Sequence, residues 1–295
     1  MTERNVSPGR WLLIAAYFVS TALGHLRFSD WLVEPRTIEW QGRTLAYAYR
    51  DALPVVLPLA ALLLLAWLLR DAARQGLGRR TGVVAAYWLL WAGCVAAVDR
   101  WLTFSLPEYA HYPQYGLLAW LIARALDPDR QTWPVGRVLF WTTLLGAVDE
   151  LSQYLWITAR HSGYFDFNDV LVNLLAATLG LMVFYGFRAP PAPSAAPARA
   201  PVEAWVAGLL VLAACALLYS GLMVATPPQA IPPGGIAPGP QGGLTLYLQR
   251  DPGYHGSWQA GVWRARHWVL APWQGLGLML LTGLAWCPWR RLGRS

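Results

Sequence analysis

Hydrophobic positions fall in eight runs, at about 11–26, 52–69, 82–104, 109–126, 138–158, 169–187, 204–225 and 267–287, separated by polar, proline- or glycine-rich segments. Most are long enough to cross an apolar layer as helices, because a rise of about 1.5 Å per residue carries 20 residues across about 30 Å. The pattern predicts an all-α fold: a polytopic transmembrane helical bundle of about eight spans. Trp11–Leu23 follows Arg4 and Arg10 as a signal peptide would, but Gly24-His25-Leu26-Arg27 is a poor cleavage site, so the run reads as a retained helix. Between the first two runs, Thr37–Trp40, Gln41-Gly42 and Arg43–Ala46 fit either a short surface hairpin or an irregular loop.

Two interruptions organise the rest. Pro190–Pro201 (PPAPSAAPARAP) is a Pro/Ala tether that cannot pack, so the chain divides into a six-helix part at 1–188, a linker at 189–201 and a two-helix hairpin at 202–295. Within that hairpin, 226–266 is a long Gly/Pro-rich extracytoplasmic loop, and loops of this length are mobile or functional. No internal repeat is visible, which disfavours an inverted-repeat transporter.

Composition supports a membrane protein: 56% of the 295 residues are hydrophobic and the mean hydropathy is +0.34. All 23 basic residues are arginine, and the net charge is +7. These arginines are scattered over loops and form no basic stripe, which excludes a nucleic-acid partner and suits anionic lipid headgroups. A cytoplasmic N-terminus puts more arginines inside than the reverse orientation, so both termini are expected in the cytoplasm of a bacterial plasma membrane. Cys94, Cys215 and Cys287 lie in apolar runs without metal-ligand spacing and are expected as small buried hydrophobes. Asp99 and Arg100, neighbours at a span end, are expected to snorkel.

The polar residues inside the runs carry the chemistry. Asp149 and Glu150 sit mid-run, where a carboxylate costs roughly 2.5–3.5 kcal/mol on an insertion scale and normally faces a partner helix or a wet cavity. Glu108, His111 and Tyr115 form a stripe at i, i+3 and i+7; Gln153 lies one turn beyond the acid pair; Arg160 follows the span; Asp166 and Asp169 open the sixth run, with Asn173 one turn deeper. The depths agree, Asp149 lying about 16 Å along its span from the cytoplasmic side and Asn173 about 6 Å in from the outer side. The expectation is one outward-facing cleft. Asp149, Glu150 and His111 would be its acid–base groups, the acids serving alternatively as metal ligands. Tyr115, Gln153, Arg160, Asp166, Asp169 and Asn173 would be its ligand-binding groups, with Arg160 pairing with the carboxylates. The competing expectation is structural, with Asn173, Gln153 and Tyr115 as interhelical hydrogen bonds worth about 0.6 kcal/mol each. No metal-binding motif is present, so neither a metal nor another cofactor is assigned.

The elements Glu108-Tyr-Ala-His111-Tyr-Pro-Gln-Tyr115, Asp149-Glu150-Leu-Ser-Gln153, Arg160 and Asp166-Phe-Asn-Asp169-Val-Leu-Val-Asn173 with Gly180, in this order and placed on spans, resemble the VanZ-like family, named for a teicoplanin-resistance membrane protein. The resemblance covers about 82–187, roughly a third of the chain. It implies a small helical-bundle membrane protein with His111, Tyr115, Asp149, Glu150, Gln153, Arg160, Asp169 and Asn173 at its signature positions. Ile157-Thr158-Ala159 stands where the family usually has a proline before the arginine. The function expected is binding or modification of a membrane lipid or lipid-linked envelope precursor; the alternative is a non-enzymatic subunit or assembly factor with membrane-protein partners. No serine or cysteine nucleophile stands beside a base, so the sequence leaves enzyme and binding protein both open.

Overall fold

The computed structural model describes residues 8–76, 78–188, 202–240 and 242–287. The Pro/Ala linker at 189–201 therefore lies outside the described residues. Each apolar run contains a helix: α1 Pro8–Val33, α2 Leu53–Gln75, α3 Arg79–Trp101, α4 His111–Leu126, α5 Val135–Ser152, α6 Phe167–Tyr185, α7 Val202–Tyr219 and α8 Pro272–Trp286; the end of the seventh run and the start of the eighth are strand instead, at 223–224 and 267–269. Among the described residues four helical segments are long and apolar enough to cross a membrane: Tyr49–Gln75, Arg80–Trp101, Phe167–Tyr185 and Val202–Tyr219. Helices α4 and α8, with 16 and 15 residues, are shorter.

Helix α6 is the hub. It is buried over most of its length and packs against α4, α5, α3 and α8. Its seam with α4 is built from small residues, Gly116 and Ala119 facing Ala176 and Gly180, which let the backbones touch as small-residue seams do in lipid. Helix α1 runs antiparallel to α4, with Arg10 reaching the Arg124 carbonyl and Tyr17 the Gln114 carbonyl. The outer helices α2 and α7 expose leucines along much of their length, including Leu59, Leu62, Leu63, Leu209 and Leu212. An apolar surface of that extent is stable against lipid rather than water. Cys215 and Cys287 are on such exposed faces and Cys94 is only partly covered, which corrects the expectation of three buried cysteines.

The fold is mostly helical but not purely so. Strands β1 Arg36–Trp40 and β2 Arg43–Tyr47 pair antiparallel through a two-residue turn in which Gln41 (φ 50°) and Gly42 (φ 72°) are both left-handed, the backbone a tight hairpin needs. The Gly/Pro-rich loop is also ordered into strands. Strands β3 Met223–Val224, β4 Ile236–Pro238 and β5 Leu244–Tyr247 form a sheet in the order β3-β5-β4, and β6 Ser257–Ala260 pairs with β7 Arg266–Val269. These strands are too short for a periodic signal, yet they alternate: Thr245 and Tyr247 point inward on β5, His267 and Val269 on β7.

The loop closes over one end of the bundle, extending the chain between α5 and α6. The amide of Phe165 donates to the Leu248 carbonyl (2.8 Å) and that of Arg250 to the Gly163 carbonyl (2.7 Å), while the Tyr154 hydroxyl donates to the Tyr247 carbonyl (2.7 Å). Asp99 does not merely snorkel: it is an anchor for this loop, bonded to Arg264, Trp263 and Tyr109. Buried Asn168 is the central clamp, donating to the Leu102 (2.9 Å) and Trp268 (2.7 Å) carbonyls and accepting from the Leu270 amide (3.0 Å). Asn168→Ala leaves all three groups short of a partner and is expected to destabilise this attachment by about 1–3 kcal/mol, seen as faster amide exchange at residues 266–270.

Candidate functional site

Three helix ends meet beneath the loop. The chain enters α4 through a 3-10 turn, Leu106–Ala110, in which the Glu108 carboxylate accepts from the amides of Phe104 (3.0 Å) and Ser105 (2.7 Å), setting His111 as the first residue of α4. Helix α5 ends in a widened π turn, Gln153–Ile157, a geometry frequent at functional sites; the Gln153 amide is shared between the Asp149 and Glu150 carbonyls. Asp166 caps α6, accepting from the amides of Asn168 (2.8 Å) and Asp169 (3.3 Å).

Asn173, fully buried on α6, ties the ends together. Its side-chain oxygen lies 2.7 Å from His111 Nδ1, and its amide nitrogen donates to Glu150 Oε1 at 3.3 Å. Gly146 on α5 makes room for it, since a Cβ there would lie 3.1 Å from the Asn173 side chain. His111 Nδ1 is 3.9 Å from Glu150 Oε1, and its Nε2 is 3.9 Å from Asp169 Oδ2. The ligand atoms of His111, Glu150 and Asp169 all lie within 4.8 Å of one another, an arrangement able to hold a metal ion.

His111, Glu150 and Asp169 line a cavity of about 730 Å³ whose walls also include Glu108, Gln153, Tyr164, Asp166, Arg250 and Tyr254. Carboxyl groups outnumber guanidinium groups in it. Glu108, Glu150, Asp166, Asp169 and Asp251 face Arg160 and Arg250. Burial, reinforced by the neighbouring Asp169 charge, pushes the Asp166 carboxyl up to about 8. Burial followed by the charges of Asp169 and Asp166 holds Glu108 well above the ordinary carboxylate range.

The predicted site residues therefore separate into groups. His111, Glu150, Asp169, Asn173 and Gln153 come together, and Asp166 lines the wall while capping α6. Asp149 stands apart from the cavity. It receives the Tyr115 hydroxyl at 2.6 Å and is 1% exposed, so Tyr115 and Asp149 form a buried pair outside the cavity lining, joined to the cluster by the Tyr115 ring, which stacks on His111 (centroids 5.9 Å). Arg160 is exposed on the cavity rim and makes no ion pair with a carboxylate among the described residues, which corrects its expected role as a carboxylate partner. Its connection ends in a turn where the Thr158 hydroxyl turns back to the Gln153 carbonyl (3.0 Å), directing the chain away from the acids.

Sequence reasoning missed the loop's contribution. Arg250, Tyr254 and His267 line the cavity, and Arg250 Nη1 also donates to the carbonyls of Ala159 and Ser162 (3.3 Å each). Thr245 and Gln249 in this loop and His267 just after it are buried polar residues, and the sequence carries no pattern that marks them as inward-facing. No protein-family model, curated protein or solved structure matches this chain.

Proposed function

We propose that this chain is a VanZ-like integral membrane protein of the bacterial plasma membrane, with eight spans and both termini cytoplasmic. Its cavity opens outward to bind or modify a lipid-linked envelope molecule. The carrying observation is the clustering of His111, Glu150 and Asp169 on the floor of a roofed polar cavity with Arg160 and Arg250 at its edge. Acids with a neighbouring imidazole suit proton transfer or cation binding, and the arginines suit an anionic headgroup. An apolar groove of about 310 Å³ between α4 and α6, lined by Tyr112, Gly116, Trp120 and Val183 among others, supports a ligand with a lipid tail.

The second reading, a non-enzymatic subunit, draws on α2, none of whose apolar window is buried within the chain and which offers a partner helix a complete face. Glu150→Gln tests between them because it keeps the shape and removes the charge. The variant is expected to insert and fold, to lose lipid-linked molecules from its mass-spectrometric co-purification profile, and to lose the envelope phenotype of the wild type. Wild-type behaviour in both assays, together with a stoichiometric membrane-protein partner, moves the assignment to the subunit reading.

A further inference from the structure

We infer that His111, Glu150 and Asp169 are the protein ligands of a single divalent metal ion of the Zn²⁺ or Mn²⁺ class, with its remaining coordination positions open to the cavity. The inference concerns what the site holds and requires no lipid-linked ligand.

Hydrogen bonding selects the imidazole tautomer. Asn173 donates its amide hydrogens toward Glu150, so its oxygen faces His111 Nδ1 and takes the Nδ1–H. The Nε2 is thereby directed to the side of Asp169, whose Oδ2 is 3.9 Å away. An acceptor on the far nitrogen is also the outer partner that metal-bound histidines use to fix their orientation. Metal–ligand bonds of about 2.0–2.2 Å put ligand atoms roughly 3–4 Å apart; Nε2 and Asp169 Oδ2 stand 3.9 Å apart, and the three ligand atoms lie within 4.8 Å of one another, so a modest contraction around the ion brings them to that range.

A second observation points the same way. Gln153, 7% exposed and lining the cavity, has an Nε2 without a hydrogen-bond partner among the described residues, and Asp169 Oδ1 likewise has none. These are groups placed for something bound in the cavity: a donor for a water or anion on the metal, and a second oxygen for the ion itself. One imidazole with two carboxylates is too nitrogen-rich for Ca²⁺ or Mg²⁺ and lacks the thiolates of a soft-metal site, which leaves the borderline ions. This assignment makes Glu150 a ligand rather than a free base.

The test uses the full chain purified in detergent and stripped with chelator. Titration with Zn²⁺ and with Mn²⁺ is expected to give one ion per chain. His111→Ala, Glu150→Gln and Asp169→Asn are each expected to abolish stoichiometric uptake, and Asn173→Ala to weaken it about 10- to 100-fold. Glu203→Gln, in the Arg137 ion pair elsewhere, is the control expected to leave uptake unchanged. Should the ligand variants fail to fold, the wild type suffices: pulsed EPR of bound Mn²⁺ is expected to show coupling to an imidazole nitrogen. Absence of stoichiometric uptake, absence of that coupling, or uptake unaltered in all three folded ligand variants overturns the inference. Lipid-linked ligand held by a chain that takes up no metal also overturns it and leaves the proposed function standing; metal uptake without any such ligand does the opposite.

Discussion

Gly180→Leu is expected to prevent assembly of the bundle, leaving no monodisperse folded protein in detergent. Even the Cβ of alanine at this position would stand 2.1 Å from the Gly116 carbonyl oxygen, and backbone atoms on two packed helices cannot step aside as a side-chain tip can. Helices α4 and α6 would have to separate, and their seam aligns His111 with Asn173 and Asp169 at the cavity end. Overpacking costs typically about 1–3 kcal/mol where side chains can adjust, so a clash with backbone is expected to exceed that range. The reciprocal substitution supplies the scale. A Cβ on Gly116 would lie 3.4 Å from the Ala176 carbonyl oxygen, an ordinary contact, so Gly116→Ala is expected to cost less than about 1 kcal/mol. Thermal unfolding of Gly116→Ala and Gly180→Ala, read by loss of monodispersity, checks the asymmetry; equal loss in the two would mean the seam is looser than described.

The helices were legible because their apolar runs are long, and each of the eight runs contains one; the Gln41-Gly42 segment left a hairpin and an irregular loop both open, and the structure has the hairpin. The convergence of His111, Glu150, Asp169 and Asn173 was also legible, since the stripes on three helices end at similar depth. What the sequence could not resolve is direction. Consecutive helical residues point about 100° apart, so Asp149 and Glu150 must face different neighbours, and nothing in their identity says which faces the cavity. The π turn after Ser152 shifts Gln153 relative to α5, and the turn at Thr158 carries Arg160 outward. The roof was hidden for a different reason: strands of two to four residues among glycines and prolines have no measurable period, and their order comes from hydrogen bonds to Gly163, Phe165 and Asn168, over 60 residues distant in the chain.

The separation of the acid pair leads to the second large effect. Tyr115→Phe is expected to destabilise the protein by about 1.5–3 kcal/mol, because it removes the hydroxyl donated to Asp149 Oδ2 and leaves a buried carboxyl whose Oδ1 already lacks a partner among the described residues. Removing both polar partners is different in kind. When the pair is replaced by apolar groups of similar shape, the desolvation cost of Asp149 disappears with its hydrogen bond, so Tyr115→Phe with Asp149→Leu is expected to recover most of the loss. The coupling between the two substitutions is expected to exceed about 1 kcal/mol in a double-mutant cycle. Metal uptake separates the roles further. The double variant keeps His111, Glu150 and Asp169 and loses only a nearby negative charge, so its affinity is expected to fall by no more than about tenfold, whereas Glu150→Gln loses stoichiometric binding. If the double variant is as unstable as the sum of the single ones, or sheds the metal as Glu150→Gln does, Asp149 belongs to the working site, and its bond to Tyr115 is a means of positioning it there.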